Sequence, residues 1–409
     1  MSIAIRRALI EPLNAVGVLL ARAGWRGPSL AEDDLLAAAR RVARLEDFGP
    51  EAYLAPLPVL LRALEGEAQL NLVGRVATRA YLLELLTNRL RISADRRGHP
   101  AIAAQEIRAP LIITGLPRTG STLLHGLLAQ DPALRAPATW EVMMPSPPPE
   151  GGETGGGGRI AAVARRLAWA DRLIPSFKAI HPMGAQLPQE CIAIMGHAFA
   201  SIQFPTTYYI PSYQRWLDAV DLELAYRCHR EFLQHLQYRH WAQRWVLKAP
   251  GHLFSLEALF AVYPDACIVQ THRDPLTVTA SIVSLVVALR RAFSDAVDPI
   301  DVAQQWAPRW AMGLASALAF RDSGAVAAER FFDLQYTDLL RDPLAAVRSI
   351  YRHFDLPLSP LAVARMKGFL AENPQHKHGR HSYSLEAFGL DYHTERRRYA
   401  SYCERFSPG

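Results

Sequence analysis

Apolar residues recur at three- and four-residue intervals through LAEDDLLAAARRVARL (30–45) and again from Pro56 to Leu90. That spacing puts them on one face of a helix, so residues 1–107 read as a helical N-terminal extension. The pattern changes at APLIITG (109–115), a short β-rich run that enters a glycine turn and then a helix lasting to Leu128, stopped near Asp131 and Pro132. Strand-like runs return at RWVLKAP (244–250), ACIVQTH (266–272) and ERFFDLQY (329–336), each followed by a helical pattern. Strands alternating with helices predict a parallel sheet with right-handed crossovers. The expected fold is therefore a three-layer α/β domain over 108–409, its sheet flanked by helices. Within it, 145–158 has the Pro/Gly composition of a flexible loop, and 159–242 reads as a helical insertion able to shape a substrate pocket. Its aromatic stripe from Phe199 to Tyr226 suits a core at least as well as a binding site.

In open parallel sheets ligands bind beyond the carboxyl ends of the strands. Three segments stand there: Gly115–Thr122, Lys248–His252 and His272–Ser281. The first, within LIITGLPRTGSTLL (111–124), spaces Gly115 and Gly120 five positions apart and opens a helix with Ser121 and Thr122. Backbone N–H groups of such a turn, with the helix N-terminus, form an anion site. A triphosphatase loop, G-x-x-x-x-G-K-[ST], would need Lys where Ser121 stands; the basic residue here is Arg118. In THRDPLTVTAS, Asp274 and Pro275 start a helix, which leaves Arg273 at the strand end and Ser281 about two turns further on. A glycine turn and two surface polar groups would explain the same residues without a ligand.

Composition narrows this little. The 409 residues are 50% hydrophobic and 21% charged, ordinary globular content, and the net charge of +6 with a pI near 9.2 suits an anionic ligand but is too mild for nucleic acid. Cys191, Cys228, Cys267 and Cys403 make no C-x-x-C pair and signal neither zinc nor disulfides. Glu11, Pro12 and Asn14 interrupt the apolar N-terminus, so a cytoplasmic protein whose first helix packs on the body is expected.

Together, PRTGST, LKAPGH and HRDPLTVTAS resemble the sulfotransferase superfamily, which uses 3'-phosphoadenosine 5'-phosphosulfate (PAPS). The likeness is to bacterial sulfotransferase-family proteins and, more distantly, to tyrosylprotein sulfotransferases, over about residues 108–409. It implies a P-loop-type fold and PAPS as cosubstrate without a metal. Arg118, Thr119, Gly120, Ser121 and Thr122 would hold the 5'-phosphosulfate, and Arg273 and Ser281 the 3'-phosphate, which ATP lacks. Tyr336 would meet the adenine, and Arg380, in the basic segment 376–390, would fold over the nucleotide. Arg118 and Lys248 would stabilise the leaving oxygen. For the proton acceptor the resemblance to tyrosylprotein sulfotransferases points to Glu141, with His252 as competitor because an imidazole titrates near neutrality. His125, His181 and Glu190 are weaker candidates. The acceptor would be a small-molecule hydroxyl, and the aromatic- and leucine-rich insertion favours an apolar alcohol, phenol or lipid, with peripheral membrane contact if it is a lipid. A P-loop kinase using ATP and Mg2+, or a noncatalytic nucleotide-binding scaffold, are the competing readings.

Overall fold

The structure is a computed structural model that describes residues 10–151, 156–173, 184–373 and 384–408. Five parallel strands lie in the order β2-β3-β1-β4-β5: β1 Leu111–Gly115, β2 Leu134–Arg135, β3 Arg244–Lys248, β4 Cys267–His272 and β5 Phe331–Gln335. All five residues of β1 and all six of β4 are buried, the pattern of strands covered on both faces. Alternate residues of β1 enter different cores. Leu111 and Ile113 pack with the helices Ser121–Leu128, Pro343–His353 and Pro360–Glu372, whereas Ile112 joins a larger cluster on the other face. The α/β architecture expected from the sequence is met.

That larger cluster contains Leu35, Leu57, Leu60 and Leu86 from the N-terminal helices Glu32–Ala43, Leu57–Gly66 and Leu72–Gly98. These helices thus share a core with the sheet instead of forming one of their own. Phe199, Phe204, Tyr208, Tyr213 and Tyr226 of the insertion lie in the same cluster, so most of the aromatic stripe is packing. The insertion itself is helical: Gly157–Leu173, Cys191–Met195, Gln203–Thr207, Pro211–Ala219 and Glu223–Gln237, all between β2 and β3 in the chain. Residues 145–151 precede it without a helix, with Glu150 bridging to Arg239.

The four sequence-predicted strands are β1, β3, β4 and β5. β2 is an addition, a two-residue edge strand held in register by Leu134↔Arg244 and Arg135↔Trp245. Two residues carry no period, which is why the pattern did not announce it.

Threonine hydroxyls tie the carboxyl ends of the central strands together. Thr114 Oγ1 donates to Ala249 O at 3.0 Å, and Thr271 Oγ1 donates to Thr114 O at 3.1 Å. One strand further, His272 closes the edge against the C-terminus: Nε2 lies 2.8 Å from Asp333 Oδ1, Nδ1 lies 2.9 Å from Tyr402 OH, and the ring stacks on Phe406 at 4.0 Å. Arg321 grips Asp333 through two further bonds of 2.7 and 2.8 Å. Burial pushes the Asp333 carboxyl up, but these partners outweigh it and hold the group well below the usual carboxylate range. No helix among the described residues is long and apolar enough to cross a membrane.

Gly115 makes this strand-end register possible. Its φ is 139°, and a Cβ there would collide with Thr271 O and Oγ1. Gly115→Ala is expected to destabilise the fold by roughly 3 kcal/mol, read as a lower urea midpoint; an unchanged midpoint would show that β1 and β4 part easily.

Candidate active site

β1 delivers the chain into the turn 116–120, and the helix Ser121–Leu128 leaves it. The turn holds two left-handed residues, Arg118 at φ 70° and Gly120 at φ 81°. Gly120 caps the helix where a Cβ would come within 2.8 Å of Leu339 and 3.2 Å of the Tyr336 ring, so only glycine fits. The Thr119 hydroxyl is turned inward. It donates to Leu116 O at 2.7 Å and lies 2.6 Å from Thr271 Oγ1, so Thr119 shapes the loop and offers a ligand only its backbone. Ser121 is buried, Thr122 and Arg118 are exposed, and the first-turn N–H groups point out of the helix end.

Lys248 closes β3 at 3% exposure. Its Nζ forms an ion pair with Glu190 Oε1 and lies 3.3 Å from Thr122 Oγ1. The phosphate-type loop, the end of β3 and the start of the helix Cys191–Met195 therefore meet at one ammonium group. Glu190, a weak candidate in the sequence, is the carboxylate at this meeting point. Nothing local in LPQEC marks it, because its partner is 58 residues away and only the folded insertion brings them together.

Glu141, the expected proton acceptor, is engaged in structural bonds on both carboxylate oxygens. At 3% exposure its Oε1 takes a 2.6 Å bond from Arg135, and its Oε2 accepts from Ala138 N at 2.8 Å as an N-terminal cap of the helix Thr139–Met143. Arg135 lies opposite Trp245, near the amino end of β3, and its guanidinium covers the Trp245 ring at 4.6 Å. Both carboxylate oxygens thus hold an edge strand and a short helix in place. The sequence alone could not register this, because Arg135 is a partner only once β2 exists.

His252 is buried to 1% exposure, with Nδ1 2.7 Å from Tyr226 OH and Nε2 buried without a hydrogen-bond partner. It lines a cavity of about 140 Å³ together with Ile192, Met195, Ile202, Leu217 and Phe254. Burial pushes its imidazole down to about 3, with Glu190 pulling the other way. His125, under the loop helix, contacts Val246 O at 3.3 Å and is likewise lowered to about 3 by burial and by the Lys248 charge. Both rings are therefore held in the neutral form near pH 7.

On the other side of the loop, Arg273 donates to Arg118 O at 2.9 Å and spreads over the Tyr336 ring at 4.1 Å. Arg118, Gly120, Arg273 and Tyr336 are therefore one cluster. Asp274 caps the helix Pro275–Arg290 by accepting from Leu276 N and Thr277 N, as its sequence suggested. Half-buried Ser281 stands about 9 Å along that helix from Pro275. Arg380 and His181 lie outside the described residues. No group of three or more His, Cys, Asp or Glu side chains is arranged to hold a metal among the described residues.

The buried imidazoles have a measurable consequence. His229 is also lowered to about 3 and His197 to about 4, both chiefly by burial. An unfolded imidazole titrates near 6.5, so between that value and the folded one the unfolded chain binds more protons. Stability should be complete above about pH 6.5 and fall as the pH drops, with each such histidine contributing up to about 1.4 kcal/mol per pH unit. Urea melts across this range check the slope, and His229→Gln should make it shallower.

Known proteins match this arrangement. Residues 110–360 fit the sulfotransferase family model. The omega-hydroxy-beta-dihydromenaquinone-9 sulfotransferase Stf3 of Mycobacterium tuberculosis is 27% identical over 291 residues, covering 68% of this chain and 70% of its own. The crystal structure of sulfotransferase STF1 from Mycobacterium tuberculosis is 33% identical and superposes with a TM-score of 0.81 over 91% of this chain and 98% of that one. Sulfotransferase STF9 from Mycobacterium avium is 27% identical, with a TM-score of 0.82 over 93% and 98%. With the family match spanning more than half its length, and joining the loop, the β3 lysine and the Arg273 cluster, the chain belongs to the sulfotransferase family.

Proposed function

We propose that this protein transfers a sulfuryl group from PAPS to the hydroxyl of a small, apolar, lipid-like acceptor, with Glu190 in place of Glu141 as the proton acceptor. The observation that carries the proposal is the meeting of Lys248 with Glu190 and Thr122 at the mouth of the glycine loop. PAPS, when bound, supplies a sulfuryl group attached to a phosphate that can leave.

The residues present fit that donor. Gly120 has no side chain to obstruct the loop, and the N–H groups of Gly120, Ser121 and Thr122 favour an anion. Arg118 is exposed beside them, and Arg273 and Ser281 suit a second phosphate, with Tyr336 as an aromatic wall. Lys248 neutralises negative charge developing on the leaving oxygen, in a site dry enough for one ammonium to matter. Glu190 takes the proton of the acceptor hydroxyl, since it is the carboxylate that touches Lys248. His252, neutral and buried, positions instead of titrating.

The acceptor's apolar part is assigned to the cavity beside His252, whose walls follow Glu190 and Lys248 directly in the chain. The one Arg or Lys among its described lining residues, Arg309, is paired with Asp218, so little there would attract a polyanionic sugar. The relative that acts on a hydroxylated menaquinone agrees with a lipid-like acceptor.

Calorimetry with adenosine 3',5'-bisphosphate in EDTA should detect binding, and Arg273→Ala/Ser281→Ala should weaken it by about 100-fold or more. Equal affinity in the folded double variant would refute the donor assignment, and a requirement for Mg2+ would favour a kinase. With labelled PAPS and long-chain alcohols, Glu190→Gln should lower kcat by about 10²–10⁴-fold. Glu141→Gln should instead cost about 3 kcal/mol or more of stability and leave kcat per folded molecule nearly unchanged. The reverse outcome would restore Glu141 as the base.

A further inference from the structure

The helix Glu11–Arg22 has its polarity inside out. Asn14 and Gly17 face the body: Asn14 Oδ1 accepts from Val73 N at 3.2 Å, and a Cβ on Gly17 would lie 2.6 Å from Leu72. The opposite side carries Pro12, Ala15, Val16 and Leu19, at the i, i+3, i+4, i+7 spacing of a single helical face, with Leu20 beside them. Such a face is normally turned toward a core, yet Val16 is 48% and Leu19 63% exposed. Trp25, just past the helix, is 48% exposed.

We infer that this face docks the protein onto an anionic lipid surface. Charge selects that partner. Among the described residues 10–28, Arg22 and Arg26, both exposed, stand against a single acid, Glu11. An apolar helical face rimmed by arginine and tryptophan is the composition of helices that lie in the headgroup region of a bilayer. Indole rings prefer that boundary, and each arginine near it is drawn by acidic headgroups. A second copy of the chain is the poorer occupant, because a two-fold contact would bring two net-positive patches together. The inference is independent of the transfer reaction, since it concerns binding without turnover.

Sedimentation of the full chain with vesicles tests it directly. Binding is expected to vesicles of phosphatidylcholine mixed with phosphatidylglycerol, to weaken as salt is raised, and to be slight with phosphatidylcholine alone. Val16→Glu/Leu19→Glu, at exposed positions that leave the thermal melt unchanged, should weaken vesicle binding by about tenfold or more. Arg22→Glu/Arg26→Glu should remove the preference for the acidic lipid. The inference is overturned if the wild-type chain ignores acidic vesicles at low salt, if both variants bind as it does, or if light scattering shows a dimer that Val16→Glu/Leu19→Glu converts to monomer.

Discussion

A lysine ammonium at the end of a buried strand has to meet compensating charge, because removing it from water unpaired costs several kcal/mol. Lys248 meets that requirement with Glu190 from the insertion and Thr122 from the loop helix. Three segments far apart in the chain are thereby brought to one point at the carboxyl edge of the sheet. The threonine bonds linking Thr114 to Ala249 and Thr271 to Thr114 set the strand ends at the heights this convergence needs. Gly115 allows the backbones to approach, and Gly120 lets the loop turn under Tyr336.

What the sequence disclosed follows from the range over which each feature acts. Strands β1, β3 and β4 are covered on both faces, so their apolar runs stand out without reference to neighbours. The loop at 115–122 and the Asp274-Pro275 helix start are equally local, their geometry being dictated by the glycines, the proline and the cap that the chain displays. Arg118, Arg273 and Lys248 could be placed at the carboxyl edge of the sheet for that reason. Glu190 could not, since its significance depends on a contact with Lys248 across the whole insertion. The pairing of Glu141 was hidden for the complementary reason: β2, too short to show a period, supplies its partner Arg135.

The N-terminal helices illustrate a different limit. Their periodicity identified them as helices but said nothing about which surface they cover. Leu57, Leu60 and Leu86 enter the cluster that also receives Ile112 of β1, so these helices complete one face of the sheet. The helix Glu11–Arg22, by contrast, is attached at Asn14 and Gly17 with its hydrocarbon side outward.

The insertion between β2 and β3 separates two kinds of work within one chain. The loop and the Arg273 cluster come from strand-end segments of the sheet, around 115–122, 273–281 and 336, whereas Glu190 and much of the His252 cavity come from the inserted helices. Substitutions at Ile192, Met195, Ile202 or Leu217 would alter the cavity's contour without disturbing a contact of Arg118, Arg273 or Tyr336. A lineage with this layout can reshape the cavity while inheriting unchanged the glycine loop and the arginine cluster beside it.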